Sequence, residues 1–164
     1  MLETVMKRTS FIAVIFVGAF LSLLAGCSQG DKVLSVEQND AEMNAAIAKA
    51  RETLPQFWQA FDKRDRGERD FALKVRITDK NGAEHFWAVG LERRDAKIMG
   101  TINNDPNIVR NVKLGDRIEI PEADISDWMY LRDGKMVGNQ TIKPLFKQMS
   151  ASEAQQYKSM MADP

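Results

Sequence analysis

One cysteine, Cys27, and one histidine, His85, are all that this 164-residue chain offers of the two side chains that metals favour most. That speaks against zinc, whose sites draw on several His or Cys ligands. A calcium loop would need closely spaced oxygen ligands such as Asp-x-Asp-x-Asp, and none occurs. With no second thiol there is no internal disulfide, so the fold must stand on apolar packing. An excess of one charge is missing too. The 23 basic residues are matched by 23 acidic ones, which removes the dominant basic footprint of a nucleic-acid binder. The chain also lacks an internal repeat and a Gly-x-Ser-x-Gly nucleophile elbow. Neither metal nor cofactor is expected.

What remains is a chain of 44% hydrophobic residues, long enough for one domain with a core. Its first segment reads as a signal peptide. Lys7 and Arg8 precede an apolar run from Phe11 to Leu24, and Leu24-Ala25-Gly26-Cys27 closes it. The run falls short of the ~20 residues of a membrane span. Small residues followed by cysteine resemble the lipobox of bacterial lipoproteins. The resemblance implies cleavage before Cys27, diacylglycerol on its sulfur and acylation of the new amino terminus. Several acyl chains would then hold the protein stably to a membrane. Ser28 follows, where aspartate would favour inner-membrane retention, so the outer membrane facing the periplasm is expected. The organisation is therefore a signal peptide over 1–26, a polar tether over 27–40 and one domain over 41–164.

Within that domain, Met43, Ile47, Ala50, Leu54, Phe57, Trp58 and Phe61 recur at three and four residues, predicting a helix from Ala41 to Arg66. Pro55 is expected to kink it or split it near Thr53-Leu54. Lys63 to Asp70 reads as a solvated turn. Phe71 to Thr78 alternates as a strand with one buried face. Asp79-Lys80-Asn81-Gly82 signals a hairpin. A two-residue Asn-Gly turn would set Ile77 opposite Phe86. A type I turn with Gly82 in a bulge would set Val75 opposite Trp87. The second is preferred, because it gathers Trp87, Val89 and Leu91 beside Val75 and Ile77. Ile98–Ile102 and Arg117–Ile120 read as short strands, with a helical turn opening at Pro106 between them. Trp128 to Gly138 forms a second hairpin about Asp133-Gly134. Thr141 to Lys143 suggests an edge strand ended by Pro144. Ser150 and Glu153 make a capping box for a helix reaching Met161. The sum is an α+β fold. A curled, mainly antiparallel sheet of five or six short strands lies between a long N-terminal and a short C-terminal helix.

The ordered series Glu84-His85-Phe86-Trp87, Gly100-x-Ile102-x-Asn104, Gly115-Asp116-x-Ile118, Ile125-Ser126-Asp127-Trp128-Met129-Tyr130 and Gly138-Asn139-x-Thr141-Ile142 resembles a known pattern. It is that of the YegJ-like bacterial family, domain of unknown function 2314, over about 71 to 146. The family lends no activity and no catalytic residue.

The residues themselves offer two chemistries. His85 as general base, Ser126 as nucleophile and Asp127 or Asp124 as orienter would make a hydrolase; Asp127 or Glu84 is the carboxylate partner for such an envelope enzyme. The plainer reading makes His85 a hydrogen-bonded structural residue. Alternatively Trp87, Trp128 and Tyr130, with Asp127, Asn104 and Asn139, suit a concave site for peptide or glycan. The plainer reading there makes Trp128 core, Asp127 a turn cap and the asparagines turn residues. The expectation is a non-enzymatic, lipid-anchored binding module for an envelope protein, peptide or cell-wall fragment. An envelope hydrolase and an immunity or inhibitor protein are the alternatives.

Overall fold

A computed structural model describes residues 41–162. Cys27 and the segments expected to be signal peptide and tether lie outside them. Helix α1 spans Ala41–Lys63 and buries Ala50, Leu54, Phe57, Trp58, Ala60 and Phe61. These recur at three and four residues, so one stripe meets the sheet. Of the kink or split expected near Thr53-Leu54, the split does not occur: α1 is unbroken through Pro55. Proline removes one amide from the ladder, but Pro55 lies on the exposed side, and the turns before and after it share one apolar cluster.

The sheet contains β1 (Glu68–Asp79), β2 (Gly82–Arg94), β3 (Lys97–Ile102), β4 (Arg117–Glu119), β5 (Ile125–Arg132) and β6 (Lys135–Gly138). Their order is β4-β3-β2-β1-β5-β6, and every neighbouring pair is antiparallel. The sheet is open, with β4 and β6 at its edges. Helix α2, Ala151–Met160, follows a Ser150–Glu153 capping box.

The first hairpin takes neither expected register. Val75 pairs with Phe86 and Ile77 with Glu84, closing the turn over Lys80-Asn81. The Asp79 carboxylate accepts the Asn81 amide at 2.7 Å and the Arg110 amide at 2.6 Å, which fixes the turn one residue early. Phe86 is thereby driven into the interior, against Ile102 and Val109. Trp87 falls on the opposite face. A bulge between Val89 and Glu92 resets the alternation. Gly90, at φ +58°, sits in it, and Leu91 returns to the core.

Two other expectations fail for a shared reason. No helix opens at Pro106, because the Glu84 carboxylate accepts the amides of Asn107, Ile108 and Val109 and holds that loop against β2. Thr141 to Lys143 is no edge strand. Asn139 turns the chain at φ 52°, and Gln140–Ile142 forms a 3-10 turn. In both places a carboxylate collects successive backbone amides and overrides local preference. Strand β1 also begins earlier than expected, at Glu68.

The main core lies between α1 and the sheet. Phe57, Phe61, Phe71, Trp128 and Tyr130 pack ring on ring with centroids 4.9–6.4 Å apart. The Trp128 indole donates to the Ala50 carbonyl at 2.8 Å. Arg51 donates to the carbonyls of Ile125 and Ala123, both at 2.9 Å, and ties α1 to the start of β5.

Candidate functional site

The sheet face turned away from the aromatic core carries the polar motif residues. Strand alternation puts Lys74 on β1 level with Trp87 on β2 and Asp127 on β5. Ser126 joins them through a bulge. Lys74 pairs with Asp127 and Val75 with Ile125, so Ser126 is the extra residue.

His85 Nδ1 lies 2.8 Å from Ser126 Oγ. The pair looks like a base and its nucleophile, but the hydroxyl proton is already committed. Ser126 Oγ donates to the Lys74 carbonyl at 3.1 Å. A serine hydroxyl has one proton, so Nδ1 must be the donor and Oγ the acceptor. His85 as a residue is exposed, but partial desolvation of its ring, with Lys74, Arg76 and Arg51 adding to it, depresses the imidazole to about 4. His85 is thus neutral near pH 7, with its proton on the nitrogen facing Ser126. Ser126 is only 1% exposed, and its bulge is held by bonds rather than presented to a substrate.

Asp127 cannot orient that histidine, because its oxygens are spent elsewhere. Oδ1 accepts the amides of Trp128 at 2.8 Å and Gln140 at 3.2 Å. Oδ2 accepts the Thr141 amide and the Thr141 hydroxyl, both at 2.7 Å. Lys74 Nζ donates to the same hydroxyl at 3.1 Å and stands 5.5 Å from the Trp87 ring centroid. Thr141 therefore bridges an ammonium and a carboxylate. Burial pushes Lys74 down and Asp127 up, and their mutual attraction opposes both shifts. This triad fastens the turn after β6 onto the sheet.

The residues expected to form one concave site are divided by the sheet. Trp87 is half-buried on the polar face. Trp128 and Tyr130 are buried on the α1 face. Asn104 Oδ1 accepts the Trp87 amide at 2.9 Å and extends the ladder past the end of β3. Asn139 donates its amide to the Trp128 carbonyl at 2.8 Å. Gly138 before it must remain glycine, since a Cβ there would lie 2.4 Å from the Trp128 carbonyl oxygen. Among the described residues no three His, Cys, Asp or Glu side chains gather as metal ligands.

A groove does exist, on the α1 side. Its volume is about 990 Å³. One wall is the α1 stripe Lys49, Thr53, Gln56, Ala60 and Lys63; the other comes from Met136, Val137, Gly138, Gln140, Lys143, Phe146 and Lys158. Trp128, Tyr130, Glu68 and Arg132 also line it. The Glu68 side chain is 5% exposed, and its Oε1 accepts from Arg132 at 2.9 Å. Arg132 also donates to the Tyr130 hydroxyl at 2.6 Å. Glu68 Oε2 is buried with no partner, which costs on the order of 1–3 kcal/mol when left unmet.

Sequence reasoning missed Lys74, Thr141, Glu68 and Arg132. Thr141 lies in Gly138-Asn139-x-Thr141-Ile142, and Lys74 on the polar side of an alternating strand. Glu68 and Arg132 are 64 residues apart, and nothing local to either signals the pair.

The family model described as "Uncharacterized protein conserved in bacteria (DUF2314)" matches residues 40–162. The chain belongs to this family. The match is wider than the motif series and takes in both helices. A relative from Escherichia coli (strain K12), "Uncharacterized protein YegJ", is 36% identical over 146 residues, covering 86% of this chain and 94% of its own. A second, "Putative ankyrin repeat protein NMB1133/NMB1171" from Neisseria meningitidis serogroup B, is 35% identical over 134 residues. That match covers 76% of this chain, which spans only 53% of that longer relative. No solved structure matches the chain.

Proposed function

We propose that this protein is a non-enzymatic binding module of the bacterial cell envelope. Acyl chains on Cys27 hold it to a membrane, probing the periplasm from the outer membrane's inner face, and it engages an envelope protein or peptide. The groove beside α1 carries the reading. It is wide, lined by charged and amide side chains, and built on rigid elements. The polar motif residues, by contrast, are consumed in bonds that hold the fold. The hydrolase alternative has less support, because the Ser126 proton is given to a carbonyl and Asp127 is turned away from His85. The longer relative named a putative ankyrin repeat protein is in keeping with a protein-interaction role.

Two measurements on the full chain in cells test this. Cys27→Ala is expected to abolish palmitate labelling and membrane fractionation; unchanged retention rejects the anchor. A photo-crosslinking residue at Gln56 or Gln140 is expected to give discrete adducts that the same probe at Asn111 does not. Identical patterns at all three positions reject the groove.

A further inference from the structure

We infer that the groove beside α1 takes an extended, carboxylate-rich peptide. The inference rests on the binding reading above and names its ligand. Lys49 and Lys63 stand fourteen residues apart on one α1 stripe, about 21 Å at 1.5 Å per residue. An extended strand covers that distance in about six residues. The chain as a whole is neutral, but this wall-to-wall surface is not. Lys49, Lys63, Arg132, Lys143 and Lys158 face it, against Asp65 and Glu68. Lys49 and Arg132 have carboxylate partners, Glu52 and Glu68. Among the described residues Lys63 and Lys143 have none. Such cations leave the groove attractive to carboxylates.

Glu68 then separates a peptide from other anions. Glu68 lines the groove, and its Oε2 lies just beneath that wall, buried and without a partner. A phosphate polymer brings no donor and meets a buried carboxylate with repulsion. A peptide brings a backbone N–H at every residue along with its side-chain carboxylates. Gln56, Gln59 and Gln140, also on the groove, each offer a donor and an acceptor to match main-chain amides.

The test is fluorescence anisotropy with the full chain in detergent and four probes: labelled (Glu-Ser)3, (Gln-Ser)3, (Lys-Ser)3 and inorganic polyphosphate. The expected result is saturable binding of (Glu-Ser)3 that weakens with salt. (Gln-Ser)3 should bind at least tenfold more weakly, and (Lys-Ser)3 and polyphosphate not measurably. The surface double variant Lys63→Gln, Lys143→Gln should lose at least tenfold. Glu68→Gln is the sharper arm. Arg132 offers only donors, so the new amide must keep its oxygen toward Arg132 and put NH2 where Oε2 was. Binding should weaken about tenfold, although removing a negative charge alone would strengthen it. Tighter or unchanged binding by Glu68→Gln overturns the inference. So does polyphosphate binding as well as (Glu-Ser)3, or (Gln-Ser)3 binding equally. If no probe binds while Gln56 still crosslinks a discrete partner in cells, the ligand class is wrong and the binding reading survives. If neither occurs, both fall.

Discussion

On the α1 side of the sheet, Phe57 touches Trp58, Phe61, Phe71, Trp128 and Tyr130 ring to ring. On the other side, Lys74, Thr141 and Asp127 meet through hydrogen bonds in a row, with Ser126 and His85 beside them. The first face is held by area removed from water and by dispersion, which tolerate small shifts of geometry. The second is held by directed bonds between buried charges, where each partner's value depends on the others being present. Neighbouring residues of one strand thus serve opposite physics: Trp128 belongs to the first and Asp127 to the second. This is why the central motif looks like a functional site in sequence. Its polar members do their work by keeping the turn after β6 in place.

Breaking each face in turn gives the largest expected effects. Asp127→Ala leaves the Lys74 ammonium without its counter-charge and several amides without an acceptor, at a cost of about 3–5 kcal/mol. Phe57→Ala, at a fully buried ring, costs a similar ~3–5 kcal/mol through the cavity it leaves. Urea denaturation of each variant measures both; a loss under ~1 kcal/mol for Asp127→Ala would mean the polar face holds nothing. Gly138→Ala joins the two faces, because its Cβ would strike both the carbonyl and the ring of Trp128 at a φ of +90°. The strain is expected to cost about 1–3 kcal/mol, visible as a lowered Tm.

A smaller effect separates the faces by pH. The His85 imidazole is depressed in the folded protein to about 4 from an ordinary 6.5. Above about 6.5 it is neutral in both states, and its share of stability is intact. As pH falls toward about 4, the unfolded chain takes up the proton first and that share is lost. The lowered carboxylates of Glu84 and Asp79 act in the same direction at more acid pH. His85→Gln should therefore flatten the stability curve between about 6.5 and about 4 while leaving the more acid limb. A proton NMR titration of His85 near 6.5 would show that partial desolvation and the charges of Lys74, Arg76 and Arg51 do not hold it down. The smallest effect touches neither face: Ser150→Ala removes the α2 capping box and should cost about 1 kcal/mol.

Much of the scaffold was legible from spacing. The α1 stripe, the alternation of β1, the Asp133-Gly134 hairpin and the Ser150–Glu153 cap all follow from short-range periodicity or capping chemistry, and each is present. The errors at the first hairpin, the Pro106 loop and the turn after β6 share one cause. At Asp79, Glu84 and Asp127 a carboxylate binds amides 14 to 31 residues away, and no window of local sequence contains both partners. The β1–β2 register failed there first. With it went the side on which Trp87 stands, since a one-residue slip turns every side chain to the other face.

The order of residues alone set the class of fold, the lack of a disulfide, and which side chains alternate with which, because these depend on composition and on repeats a few residues long. It also supplied the lipobox-like Cys27. Only the folded chain decided that Ser126 gives its proton away, that Asp127 is spent on Thr141, and that Glu68 meets Arg132 in the wall of a groove. Those are contacts between strands and turns distant in sequence, and their geometry exists only once the sheet has chosen its register.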